Sequence, residues 1–278
     1  MKTFYIEKMD KHGFTLLKFK IKNDNFKIYT NLEKEKNIRK VVKKLIKCDV
    51  KNVVLSRTLC ENKGFINSLN SNNIKIFNGR WLEKYISFEL LDYIIRQNSI
   101  KKEEIEIAIT TNEITDISIE IIKELAKQYK RLTVVTNHIE KLKKIEKEIY
   151  EKNGILIVVS NNQKRSLARA KIILNIDFNK DVLNKYKLNE NAIIINLEGN
   201  MKIFSKRFNG ININDYEIEV GREETIWREN MQNFKTKDLL EANLYMKDTF
   251  QHIRNKIAKN KVSIKEVFGI NGKIFYYD

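Results

Sequence analysis

The stretch EIEIAITTNEITDISIEIIKELAKQYKRLTVVTN, residues 104–137, decides how the rest of the chain is read. Residues 106–111 read as a strand, 112–116 as a polar turn, 117–130 as a helix and 132–137 as a second strand. Strand, helix and strand form the unit of a doubly wound parallel sheet, and the turn after the first strand is where a nucleotide phosphate usually sits. Glycines normally let backbone and phosphate approach there, with the helix N-terminus supplying unpaired amides. This turn, Thr111 to Ser118, has no glycine. β-Carbons at Asp116 and Ser118 crowd a ligand, and Glu113 or Asp116 sets a negative charge beside the phosphate position. Asp116 reads more simply as the N-cap of the helix than as a ligand contact.

Working outward, the alternation continues on both sides. Downstream come a helix over 139–151, the apolar strand 155–160, a short helix 164–170, the strand 171–176, a helix near 180–186 and the strand 192–197. Runs such as Ile-Leu-Ile-Val-Val are apolar on both faces, as expected when helices cover a parallel sheet from both sides. They predict a five-stranded parallel core. Residues 201–208 and 216–220 read as a hairpin or edge strands around Asn209-Gly210. Then come a helical piece at 230–234, a long helix over 236–258 and a final strand over 273–277. Upstream, 2–8, 14–22 and 26–30 read as a meander with turns at His12-Gly13 and Asn23-Asp24-Asn25. Asn31 is placed to cap an amphipathic helix carrying Ile38, Val41, Val42, Leu45 and Ile46. A strand at 52–56, a helix at 62–71, a strand at 74–77 and a long helix at 80–97 complete this half.

Two cysteines, Cys48 and Cys60, offer neither a disulfide framework nor metal-ligand spacing. No stretch approaches the about 18 apolar residues of a membrane span, and a soluble cytoplasmic protein is expected. The formal charge is +17, which raises nucleic acid as a partner. Lysine, isoleucine and asparagine are abundant and proline is absent, however, and the basic residues alternate with glutamate on helix faces such as 140–152. That is the imprint of an A+T-rich coding sequence and of solvated faces, so nucleic acid is the less favoured partner.

Three runs carry a family resemblance. Val-Val-Thr-Asn-His-Ile-Glu-Lys at 134–141 is similar to the strand end of the NADP domain in shikimate dehydrogenase-like enzymes and glutamyl-tRNA reductases, where an Asn-Arg-Thr run meets the adenosine 2'-phosphate. Ala-Lys-Ile-Ile-Leu-Asn-Ile-Asp at 170–177 and Ala-Ile-Ile-Ile-Asn at 192–196 resemble the following two strands of that family. The resemblance covers residues 104–200 and implies an α/β fold of two domains. The second is a Rossmann-like doubly wound parallel sheet, and C-terminal helices pack back. The expected segments are 1–100, 101–222 and 223–278. His138 replaces the family's arginine, the glycine turn is missing, and the proline-containing substrate motif cannot occur here. No catalytic residue is therefore carried over.

The binding residues expected at the strand ends are Thr110, Thr111, Asn112, Asn137, His138, Asn175 and Asn196. The function expected from them is binding of a nucleotide, NAD(P) among them, or another anionic small molecule. The alternatives are a catalytically inactive scaffold for protein or nucleic-acid contacts, and an NADP-dependent oxidoreductase. Lys164 and Arg165, in the loop after the strand 155–160, offer a grip for an anionic group. Cys60 after Ser56-Arg57-Thr58 reads as a half-buried thiol or a nucleophile. In Asn78-Gly79-Arg80-Trp81, Trp81 reads as core and Arg80 as a cleft residue. His12 and His252 are too remote in sequence for a zinc site.

Overall fold

The computed structural model describes residues 3–9, 19–22, 24–197, 199–203, 208–221, 231–245 and 248–274. The chain forms two compact units, one made of Met1–Leu82 with Arg222–Asp248, the other of Glu83–Gly221 with Thr249–Asp278. The division departs from the expected segments. Residues 83–100 belong with the second unit, and the C-terminal region is shared between the two.

The first unit begins with β1 (Thr3–Lys8), β2 (Phe19–Lys22), β3 (Asn25–Ile28), α1 (Glu35–Lys47), β4 (Asn52–Leu55), α2 (Arg57–Cys60), α3 (Lys63–Asn70), β5 (Lys75–Phe77) and the start of α4 (Arg80–Tyr85). Its sheet runs β2-β3-β1-β4-β5. β1, β3, β4 and β5 are parallel and only β2 is reversed, so the start is not a meander. The hairpin β2–β3 hands the chain back beside β1, and the parallel strands stand in chain order 2-1-3-4, the doubly wound arrangement. α1 buries Ile38, Val41, Val42 and Leu45 as its spacing requires, while Ile46 is exposed. Asn31 does not cap it, because Leu32–Lys34 intervene; its side chain instead accepts the Glu33 amide at 2.8 Å in a turn. The turn at His12-Gly13, and Asn23 of the next turn, lie outside the described residues.

The second unit opens with α5 (Ser87–Gln97), so the expected helix 80–97 is two helices. There follow β6 (Glu106–Thr110), α6 (Asp116–Gln128), β7 (Arg131–Val135), α7 (Ile139–Asn153), β8 (Val158–Ser160), β9 (Ile172–Asn175), α8 (Lys180–Leu183), β10 (Ile193–Asn196), β11 (Ile211–Ile213) and β12 (Asp215–Val220). The order β8-β7-β6-β9-β10-β11, with every pairing parallel, is 3-2-1-4-5-6 counted within the unit. That is the Rossmann order, with its switch point between β6 and β9. β9 and β10 are buried at every position, as strands covered on both faces must be.

Three expectations are corrected here. The sheet has six strands, since Ile211–Ile213, which no expected strand included, joins it beside β10, while the expected strand 216–220 forms as β12. Residues 164–170 form turns and bends, not a helix. The expected helix 236–258 is α9 (Thr236–Leu244) and α10 (Phe250–Lys259), and α9 belongs to the first unit, packed on β4 and β5. After α10 comes β13 (Val262–Gly269), paired antiparallel with β12 and with β14 (Gly272–Lys273). The sequence reading missed β13, although Val262 and Ile264 are buried and Ser263 and Lys265 exposed in strand alternation. Residues 204–207, Asn230 and the end of the expected final strand, 275–277, lie outside the described residues.

The cap of α6 is Thr115, one residue before the expected Asp116. Thr115 Oγ1 accepts the Ser118 amide and Ser118 Oγ accepts the Thr115 amide, a reciprocal capping box. Thr115→Ala should lower stability by about 1 kcal/mol, whereas Asp116→Ala should cost a few tenths through the helix dipole alone. Paired thermal or urea unfolding curves of the two variants check this ordering.

Candidate functional site

The carboxyl ends of β6, β9 and β10 bring Thr110, Asn175 and Asn196 into one row, as their register predicts. Each is fully buried. Thr110 Oγ1 donates to Asn175 Oδ1 at 2.6 Å, and that oxygen also accepts the Phe178 amide at 2.9 Å. Asn175 Nδ2 donates to Phe178 O at 2.9 Å and to Asn196 Oδ1 at 3.1 Å. An amide side chain has two donor hydrogens and two acceptor lone pairs, so Asn175 is saturated from within. Asn196 Nδ2 carries the row on to Asn212 and Asn214. The row ends at Asn214 Nδ2, which is buried with no partner among the described residues.

The turn after β6 is also occupied by the chain itself. Asp177, two residues past Asn175, turns its carboxylate into the β6–α6 turn. One oxygen accepts the Asn112 amide at 2.6 Å. The other accepts the Glu113 amide at 2.6 Å and the Thr111 hydroxyl at 2.8 Å. In this architecture a phosphate sits in the turn after the first strand, and here a carboxylate takes two backbone amides of that turn. Asn112 Oδ1 in turn accepts the Asn137 amide at 3.0 Å, tying the β6 turn to the β7 turn. Thr111 is fully buried, and Asn112 is half-buried. Of the seven expected binding residues, only the side chains of Asn137 and His138 stand exposed. Asp177 was not among the candidates. Its signal was present: an acidic residue just past a central strand, two positions beyond an asparagine that must stay neutral and buried.

A second cluster lies in the first unit and was also missed. α9 buries three charged residues, Lys237, Asp238 and Glu241, each at 2% exposure or less. Glu241 meets the turn after β5, where the amides of Asn78, Gly79 and Trp81 point at its carboxyl. Gly79 is held at φ +83°, a conformation glycine adopts without strain, and Trp81 packs edge-on against Tyr245 at 5.2 Å. Lys75 donates to Tyr245 Oη at 2.8 Å beside it. Burial pushes the Glu241 carboxyl up to about 7 against the pull of those amides and Lys75, and its second oxygen has no partner among the described residues. Nearby, burial raises the Cys60 thiol to about 11, with Asp238 adding to the effect. Cys60 is therefore a protonated thiol at neutral pH; its Sγ donates to Leu55 O.

Among the described residues no cluster of His, Cys, Asp or Glu is arranged to hold a metal ion, and no helix is long and apolar enough to cross a membrane. No protein-family model matches the sequence, and no curated protein matches it. Among solved structures the chain is similar to a shikimate dehydrogenase in complex with NADP+, at 15% identity and TM-score 0.34 over 76% of this chain and 84% of that one. It is similar to a 5-ketofructose reductase of a Gluconobacter species, at 11% and 0.33 over 76% and 87%. Similarity to L-tryptophan dehydrogenase from Nostoc punctiforme, at 7% and 0.33, covers 62% of this chain and 51% of that one, about half its length. The Rossmann-like assignment of the second unit stands on its strand order, and no residue role is taken from these proteins.

The buried Glu241 makes stability depend on pH. Its folded value, about 7, lies above the ordinary 4.5, so its contribution is complete below about pH 4.5 and is lost as pH rises toward 7. Up to about 3 kcal/mol is involved, at 1.36 kcal/mol per pH unit. Glu241→Gln keeps an acceptor for the turn amides and should flatten that stretch of the profile. Urea midpoints of wild type and variant at pH 5, 6, 7 and 8 should converge at pH 5 and separate at pH 8, with the variant the more stable.

Proposed function

We propose that this protein is a non-catalytic binding scaffold, in which the Rossmann-like unit presents surface to a partner instead of holding a coenzyme. The observation that carries the reading is the Asp177 carboxylate. It accepts three hydrogen bonds from Thr111, Asn112 and Glu113, the donors that an open turn would offer to a pyrophosphate. A phosphate entering there would have to displace a carboxylate bonded by two backbone amides, and would meet its charge. The saturated row of Thr110, Asn175 and Asn196 supports the same reading, because fully buried side chains cannot touch a ligand without breaking bonds to one another.

The nucleotide-binding reading keeps one observation in its favour. Asn137 and His138 are exposed at the end of β7, where the resemblance places contacts to an adenosine phosphate, and NAD(P) or a related anion reaches them without entering the β6 turn. Calorimetric titration with NADPH, NADH and 2',5'-ADP separates the two. The scaffold reading expects no saturable heat from wild type up to millimolar concentration, and a submillimolar Kd for any of the three would overturn it. Asp177→Ala frees the amides and should gain measurable affinity for inorganic phosphate. It should also lose about 2 kcal/mol of stability, the scale of hydrogen bonds to a charged group.

A further inference from the structure

Helices normally cover both faces of a doubly wound sheet. Here α6 packs on β7 and α7 on β8, but the crossover from β8 to β9, residues 161–171, has no helix. Between that crossover and β6 to β8 lies a groove of about 480 Å³, lined by one acidic residue, Glu106, and by Lys130, Arg131, Val158, Arg165 and Arg169 among others. β8 ends the sheet, so one line of its backbone groups is available for pairing. Beside it Leu156 is 69% exposed and Val158 55%, both on the groove. Two large apolar side chains this open on one groove leave apolar surface that a partner would cover.

The charge of the groove selects the partner. Arginine supplies 11 of the chain's 53 basic residues, and three of those eleven line this one groove, so its arginines are not the diffuse lysine excess of the rest of the chain. Arg131 lies 3.7 Å from Glu106. Arg165 and Arg169 are exposed, and among the described residues neither has an ion-pair partner. The guanidinium fork matches a carboxylate in two-point contact. Two-fold pairing of β8 with a second copy would bring like arginines together. No aromatic ring lines the groove to stack a base, which single-stranded nucleic acid generally requires.

We propose that the groove along β8 takes an extended peptide segment of alternating apolar and acidic residues, added to the sheet edge as a further strand. The backbone pairs with β8, the apolar side chains cover Leu156 and Val158, and the carboxylates meet Arg165 and Arg169. The inference does not rest on the closed β6–α6 turn: coenzyme binding by wild type would overturn that reading and leave this one standing.

The test is fluorescence anisotropy of the full chain with labelled (Val-Glu)4 and (Val-Lys)4 peptides and with oligo-dT. The acidic peptide should bind, more weakly as salt is raised, and the basic one should not. Arg165→Ala/Arg169→Ala should weaken binding by about tenfold or more, a loss of about 1.4 kcal/mol, and Val158→Glu should abolish it. All three positions are exposed, so unchanged melting curves will show that the variants fold. Lys34→Ala/Lys36→Ala, two exposed charges of the first unit, should leave binding as in wild type. No binding of the acidic peptide at millimolar concentration, equal binding of both peptides, or an unaffected double arginine variant would overturn the proposal. So would oligo-dT binding lost in that same variant, or a dimer in solution that Val158→Glu dissolves.

Discussion

Asn175 is the node on which the second unit depends. Its side chain joins the last residue of β6, the turn after β9 and the last residue of β10 through four buried hydrogen bonds. An apolar residue there would leave the Thr110 hydroxyl, the Phe178 amide and carbonyl and the Asn196 oxygen without partners, at about 1–3 kcal/mol for each buried group. The node also fixes register, because only the observed alignment of β6, β9 and β10 places Thr110, Asn175 and Asn196 side by side. Polar groups that would be expected to serve a ligand at a switch point serve the sheet itself. Asp177 completes the arrangement two residues on, holding the β6–α6 turn against the end of β9.

The strands were legible in the sequence and the use of their ends was not. Apolar runs such as Ile193–Ile195 admit few meanings, and the alternation of strand and helix leads directly to a parallel sheet. Thr110, Asn175 and Asn196 were correctly placed at the carboxyl edge. Whether an edge asparagine faces a ligand or its neighbour depends on register and on Asp177, whose place just past β9 is legible but whose reach to the β6 turn is a tertiary contact. The same limit applies at α6. Thr-Asp-Ile-Ser offers two capping residues in succession, and the reciprocal bond with Ser118 decides for Thr115. Long apolar periodicity misled at 80–97 and 236–258, where one face pattern spans a break in the backbone. The division of α9 and α10 between units depends on tertiary contacts that periodicity does not encode.

The first unit shows the same economy of polar groups in another form. Its turn after β5 offers amides at a strand's carboxyl end, and Glu241 reaches them from a helix more than 150 residues later in the chain. An acid reaching helix-start amides is favourable. Full burial opposes the charge strongly enough to hold the carboxyl near neutrality. In both units, then, an acidic side chain of the chain itself occupies the amides that a bound anion would use.

Charge count and charge placement say different things about this molecule. Along α7 the lysines sit beside glutamates, Lys143 with Glu140, Lys147 with Glu151 and Lys152 with Glu148, largely in solvent. Exposed pairs of this kind contribute little, and a +17 excess built from such residues follows from composition and selects no partner. Arg165 and Arg169 differ in chemistry and in setting: they carry planar forks, they have no ion-pair partner among the described residues, and they line the same groove as exposed apolar residues. A missing crossover helix creates that setting. Had residues 161–171 folded into the helix that their place in the topology calls for, that helix would cover more of the sheet face that lines the groove. The interaction surface and the departure from the regular doubly wound pattern are therefore the same feature.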